Sequence, residues 1–219
     1  MGAYGNTNEA SMSFSDGDIS FNCAIDTGDL EVLSQYWLGS DQSFGMVLND
    51  DGIIDFLDYA ILANNWKKLL LPAICEDFEL GAFTKFDWQH SGSLGWRIVY
   101  DVFYGGTYAA KSGNITHLQQ SILEFDYQLE YELNTISFWR KVSCEQDFDY
   151  LRFYINDENN IGGENQQWTG EQDWALETYE LAKLQAYNFK WVYEKDFSGS
   201  YGDDSAWIDD IRIYFDPGH

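Results

Sequence analysis

Three carboxylates at alternate positions, Glu145, Asp147 and Asp149, form one of the few groupings in this chain with the residue types for acid–base chemistry. On a strand, side chains two residues apart share a face. Two such carboxylates about 5.5 Å apart would suit a retaining glycosidase. The cluster, however, lies between Cys144 and the apolar run that opens at Tyr150, so it reads as a connecting loop. The three histidines, His90, His117 and His219, have neither a serine elbow nor a partner at metal-ligand spacing. The chain is therefore read as non-catalytic.

A second chemistry has better spacing. A twelve-residue calcium loop places oxygen donors at positions 1, 3, 5, 7, 9 and 12, with position 7 giving a backbone carbonyl. In one stretch these positions fall on Asp18, Ser20, Asn22, Ala24 (carbonyl), Asp26 and Asp29. In a second they fall on Val47, Asn49, Asp51, Ile53 (carbonyl), Asp55 and Asp58, with Gly52 at the sharp turn. Ca2+ is the expected cofactor. A third chemistry is stacking on sugar rings, for which Trp168 and Trp174 are the candidates, because they lie in a polar segment read as a loop. Trp139, Trp191 and Trp207 sit in apolar runs and are expected in the core.

The elements that must carry these residues fall into two textures. Residues 1–17 read as a tail. Over 18–70 a repeat with a 29-residue period pairs Ile25-Asp26 with Ile54-Asp55, Asp29 with Asp58, Val32-Leu33 with Ile61-Leu62 and Trp37 with Trp66. Each copy is an acidic loop followed by a short amphipathic helix, predicted over Asp29–Trp37 and Asp58–Trp66. Residues 71–75, with Pro72, read as a linker. Beyond it, 76–219 carries short aromatic and β-branched runs at Ser137–Val142, Tyr150–Ile155, Tyr187–Tyr193 and Trp207–Tyr214, separated by Gly/Ser turns. The expected fold is mainly β, a jelly-roll β-sandwich preceded by a small α-helical loop–helix module.

Composition narrows the partners. The 219 residues include 37 Asp+Glu and 12 Lys+Arg, a formal charge of −25, which repels nucleic acid and anionic lipid. Hydrophobic residues at 45% leave enough for a packed core. The longest apolar run, Leu69–Ile74, is too short for membrane insertion, and the first residues lack the pattern of a signal peptide. Three cysteines, Cys23, Cys75 and Cys144, allow one internal disulfide, with Cys75–Cys144 as one option.

Two resemblances follow from these residues. The pair Asp18–Leu38 and Asn49–Trp66 resembles the duplicated segment of dockerins, most closely the planctomycete type in which each helix ends in Trp. It departs from that pattern at Val47, where Asp is usual, and at Cys23, which takes the glycine position. Residues 76–219 resemble MAM-like, concanavalin-like jelly rolls, on Glu76–Glu79, Trp96–Ile98, Gly105–Ala110, Phe148–Ile155 and Ala206–Ile211. That resemblance implies a structural calcium where first and last strands meet, held by Asp77 or Glu79 with Asp209 or Asp210. Alternation along a strand would turn only one of Asp209 and Asp210 inward. The acidic cluster at Glu145 is similar to the catalytic strand of jelly-roll glucanases, but Tyr150 stands where that family has a further acid. Together the resemblances imply an extracellular assembly or adhesion protein, stabilised by calcium and acting through a protein partner or self-association, as in a filament or surface layer. A polysaccharide-binding module is the alternative.

Overall fold

Alternation of buried and exposed residues along the C-terminal part of the chain produces long antiparallel strands, and two short helices precede them. The computed structural model describes residues 17, 19, 25, 27–38, 48, 53–66, 72–129, 134–181 and 184–215. The chain divides into two units, Met1–Leu69 and Leu70–His219.

In the first unit, α1 spans Thr27–Gln35 and α2 spans Phe56–Asn65. Both begin two residues before the positions predicted from the repeat. The reason is visible at α2. Asp55 is the N-cap and accepts from Leu57 N at 2.7 Å, while Asp58 reaches back to accept from Asp55 N at 2.8 Å. This reciprocal capping box satisfies two donors that a helix start leaves open. The repeat places matched residues in matched burial: Ile25 and Ile54, and Leu33 and Leu62, are all in the small core, with Ile19 and Leu48. Trp37 meets Phe56 edge to face at 5.0 Å.

The second unit contains thirteen strands among the described residues: β1 Pro72–Glu76, β2 Gln89–Gly92, β3 Arg97–Val99, β4 Ala109–Lys111, β5 Gln120–Gln128, β6 Asn134–Ser143, β7 Tyr150–Ile155, β8 Asn160–Ile161, β9 Glu164–Asn165, β10 Gln167–Trp168, β11 Glu171–Leu181, β12 Ala186–Glu194 and β13 Ser205–Phe215. One sheet has the order β11-β6-β13-β4-β3, with β1 also on β13, and the other has the order β10-β7-β12-β5-β2. The unit is a jelly-roll β-sandwich, and the fold is mainly β, as expected. The stretch read as a linker is strand from Pro72 onward. Proline is tolerated as the first residue of a strand, where its missing N–H breaks no ladder bond.

The core lies between the sheets. Phe138 of β6 meets Phe153 of β7 at 4.7 Å, and Phe153 meets Trp191 of β12 at 5.0 Å. All three are fully buried. Each such side chain contributes about 1.5–3 kcal/mol by leaving water, so this aromatic seam is a main bond between the sheets.

The last strand changes neighbours along its length. Trp207 and Ile208 pair with β4, whereas Ile211–Tyr214 pair with β1. At the changeover its register against β6 slips, from Asp209↔Trp139 to Arg212↔Ser137. Three steps on β13 thus span two on β6, which is a β-bulge. Asp210 takes a φ of 47° there. The bulge breaks the alternation expected for the two aspartates, and both are buried, Asp209 at 1% and Asp210 at 8% exposure.

Candidate functional site

The outer face of the five-stranded sheet is the best candidate for recognition. Its rows follow from register. Tyr150 of β7 stands beside Glu194 of β12 and Gln120 of β5. The next row runs Gln167, Arg152, Val192, Ile122 and Ser91, and the one after it Tyr154, Lys190, Glu124 and Gln89. Asn188 and Asp126 follow. Val192 and Ile122 make a small apolar floor, flanked along β7 by two half-buried tyrosines.

The polar groups around this floor are ordered by one another. Arg152 pairs with Glu194, and its Nε donates to Gln167 at 3.2 Å. Gln120 donates to the other oxygen of Glu194 at 2.9 Å. Asn188 donates to Asp126 at 2.9 Å, and Lys190 pairs with Asp157. Arg152 lies 4.7 Å from the Tyr150 ring centre and Lys190 5.1 Å from that of Tyr154. Each cation thus orients a tyrosine ring. The result is a fixed array of planar hydrogen-bonding groups beside flat aromatic surfaces.

The opposite outer face, on the larger sheet, is differently built. Trp139 is half-buried here rather than in the core, because odd-numbered residues of β6 point away from the sandwich. Tyr104 stacks on it at 3.7 Å and 14°. Trp207 is fully buried, but on this outer side, with Val99, Ala109, Val102 and Trp174. Lys111 Nζ sits 4.5 Å from its ring. The segment carrying Tyr104 is fastened by Asp209, whose Oδ2 accepts from Tyr104 N at 2.8 Å and Gly105 N at 3.2 Å. Burial holds the Asp209 carboxyl well above the usual carboxylate range, against the pull of those N–H donors.

The two tryptophans expected on an exposed loop are not on one. Trp168 is in β10, 8% exposed, and meets Phe138 edge to face in the core. Arg140 covers its other side at 5.0 Å. Pairing of Trp168 with Leu151 fixes this inward orientation. Trp174 is in β11 and half-buried against Tyr104. Trp191 is in the core as expected. The carboxylates Glu145, Asp147 and Asp149 share no strand face, since 146–148 is a turn and Asp147 has a φ of 65°.

The expected calcium ligands divide three ways. Asp18, Ser20, Asn22, Ala24, Asp26, Asn49 and Asp51 lie outside the described residues. In the helical unit Asp29 and Asp58 are fully buried, and Asp58 also accepts from Leu48 N at 2.6 Å. Ile53 is 48% exposed. In the sandwich, Asp77 faces Lys85 at 2.7 Å and Asp210 faces Arg212 at 2.7 Å. Glu79 Oε1 accepts from Thr107 N at 2.7 Å and Tyr108 N at 2.8 Å. Gly106, with φ 64°, permits this approach, since a Cβ there would stand 2.3 Å from Glu79 Oε1. Burial raises the Glu79 and Asp210 carboxyls. Among the described residues no three His, Cys, Asp or Glu side chains gather as a metal site. The carboxylates at the strand ends are thus met by protein cations and N–H groups in this structure.

Cys75 is disulfide-bonded and Cys144 is a buried free thiol, so these two do not pair. Cys144 Sγ donates instead to the Asp149 carbonyl at 3.3 Å. Among the described residues no helix is long and apolar enough to cross a membrane.

No family model matches the chain, and no curated protein matches it. Several solved structures are similar in form. TmCBM61 in complex with β-1,4-galactotriose aligns at TM-score 0.44 and 18% identity, over 64% of this chain and 94% of that one. The CBM22-1 xylan-binding domain of Paenibacillus barcinonensis Xyn10C gives 0.41 and 17%, over 66% and 92%. The K1 cleaved adhesin domain of Lys-gingipain from Porphyromonas gingivalis gives 0.45 and 16%, over 65% and 98%. At this level of likeness no residue role transfers from them.

Proposed function

We propose that the sandwich is a non-catalytic polysaccharide-binding domain that uses the outer face of β7, β12 and β5. The observation that carries this is the array around Val192 and Ile122: Tyr150 and Tyr154 on one strand face, with Arg152, Lys190, Asn188, Glu194 and Glu124 held in hydrogen-bonded order beside them. A sugar ring has an apolar C–H face and an equatorial rim of hydroxyls. Flat aromatic rings suit the first, and planar amide, carboxylate and guanidinium groups suit the second. Because these groups already hold one another, little side-chain entropy remains to be lost on binding. Affinity electrophoresis on a polysaccharide panel tests the reading. Retardation by at least one glycan, lost in Tyr150→Ala and Tyr154→Ala but kept in Trp174→Ala, supports it. Retention that ignores both tyrosines, or none on any glycan, overturns it.

A second reading belongs to the helical unit. Leu38, Phe56 and Leu57 are 72%, 74% and 59% exposed there. Exposed apolar side chains on so small a unit favour docking to a protein partner. In this reading the chain is an extracellular adhesion or assembly protein, with Ca2+ bound by the acidic loops that precede the buried Asp29 and Asp58. Calorimetric titration with calcium, followed by light scattering with and without chelator, tests it. Absence of both heat and any calcium-dependent change in mass would remove it.

A further inference from the structure

A buried charged cluster stands away from both outer faces. Lys195, directly after β12, and Asp149, directly before β7, stand beside each other at one end of the smaller sheet, one step beyond the pair Glu194↔Tyr150. Their side chains are 1% and 0% exposed, and Lys195 Nζ lies 2.8 Å from Asp149 Oδ2. Nζ also pairs with Asp204, which is one-quarter exposed. The other oxygen of Asp149, Oδ1, accepts from Asp196 N at 2.9 Å. The Tyr193 hydroxyl is buried without a hydrogen-bond partner and lies within the field of Asp149 and Asp204.

This is more than an ion pair. It combines an amine against a carboxyl group, a second carboxylate on the same amine, and a backbone N–H on the carboxyl oxygen that is not facing the amine. We propose that Lys195 and Asp149 join into an intramolecular amide, with Asp204 as the proton shuttle and the Asp196 N–H as the oxyanion donor.

The step balances within the three side chains. Asp204 takes one proton from the Lys195 ammonium and passes it to Asp149 Oδ2, so that a neutral amine faces a neutral carboxyl group, and the freed Nζ lone pair attacks Asp149 Cγ. Negative charge develops on Oδ1, which the Asp196 N–H stabilises as preorganised oxyanion donors do. A second proton then passes from Nζ through Asp204 to Oδ2. The Cγ–Oδ2 bond breaks and Oδ2 leaves as water. Of the three ammonium protons, one remains on the amide nitrogen and two depart with that oxygen. Asp204 ends as it began, and no oxidant or cofactor is needed.

Two physical terms favour the reaction. The fold holds amine and carboxyl in contact, which replaces a bimolecular encounter by a fixed one. The product also removes two buried charges, which are costly to keep from water. Against these stands the pairing of Lys195 with two carboxylates, which outweighs burial and holds its ammonium above the usual lysine range. The contact with Asp204 is what lets the proton leave without entering solvent.

The test is the intact mass of the full-length chain, folded, aged, then unfolded and reduced. The expected mass is lower than that of the sequence by one water, and digestion is expected to yield a branched peptide joining the Asp149 and Lys195 segments. Lys195→Arg keeps a cation but cannot form the amide, so it is expected at full mass. Asp204→Asn is expected to slow the water loss on the order of a hundredfold or more, as removal of an acid–base group does. Full sequence mass in the aged wild type, or water loss that persists in Lys195→Arg, overturns the proposal. Unimpaired linkage in Asp204→Asn removes Asp204 from its role. The wild-type mass decides the main point whether or not a variant folds.

Discussion

Replacing Asp209 with Ala should loosen the segment that covers the larger sheet, and the size of the effect can be worked from its contacts. Asp209 is 1% exposed and accepts three backbone N–H groups: Tyr104 and Gly105 through Oδ2, and Asp210 through Oδ1 at 2.7 Å. Hydrogen bonds of this kind contribute about 1.5–3 kcal/mol each when the acceptor is charged, and about half that when it is neutral. Burial disfavours the charged form here, so the lower figure applies. Tyr104 and Gly105 are half-buried, and water recovers part of what they lose. The net cost is about 3 kcal/mol, or about 6–12 °C in Tm for a unit of this size. Asp209→Asn keeps an acceptor for the segment and should cost about 1 kcal/mol, the usual net worth of one hydrogen bond. Thermal denaturation by circular dichroism, in chelator, reads both. A cycle with Tyr104→Ala isolates the cause, because Asp209 holds the backbone of the residue whose ring stacks on Trp139. The second substitution should therefore cost less in the background of the first. A Tm change under about 2 °C for Asp209→Ala, or strict additivity in the cycle, would refute the reasoning.

Other outcomes follow from the same contacts. Burial pushes the Cys144 thiol up to about 11, so a thiol reagent at pH 8 should label it in denaturant and not in the native chain; fast native labelling would contradict its position. That raised value also gives a stability contribution fully present below the ordinary thiol range and lost as pH rises through about 11, which denaturant melts of wild type and Cys144→Ala at alkaline pH would compare. Arg140→Leu strands Glu177 in a half-buried site and should cost about 3 kcal/mol, as breaking a buried pair does; a denaturant midpoint equal to wild type would argue otherwise. Asp58→Ala removes the capping box and the Leu48 contact and should lower helical signal in the isolated region 1–70 while leaving the melt of the sandwich in place, with a loss of about 1–2 kcal/mol.

The sandwich was legible where burial imposes a period. Tyr187–Tyr193 alternates because one side faces the core and the other the open sheet face, and β12 follows that pattern except at Val192, which is buried on the open face. The repeat was legible too, since Ile25/Ile54 and Leu33/Leu62 fill equivalent places in one small core. β11 is hidden in the sequence, because Glu171–Leu181 is an outermost strand of its sheet with polar or acidic residues on both of its sides, and that composition looks like a loop. Trp168 is hidden for the same reason: its neighbours are polar, but pairing with β7 turns the ring inward. The direction of Trp139 depended on which side of β6 faces the second sheet, and apolar content alone does not say. Asp209 and Asp210 depart from alternation because a bulge falls between Asp209 and Arg212. The association of Lys195 with Asp149 and Asp204 had no local signal at all, since it arises only when the ends of β7 and β12 meet.

The strand exchange on β13 also sets an order of events. Among the described residues the first strand of the sandwich pairs with the last one alone, Cys75 against Arg212 and Glu76 against Ile211. On a ribosome β1 would emerge early and wait, with one edge unsatisfied, until nearly the whole domain had been made. Contacts between such distant parts of the chain are slow to form. Closure of the larger sheet is thus a terminal step, in which β13 is inserted between β6 and the pair β4 and β1, and fills both gaps at once. Once it is in place, the entry and exit of the domain lie side by side, a geometry suited to a bead that can be spliced into a longer chain without forcing its neighbours apart.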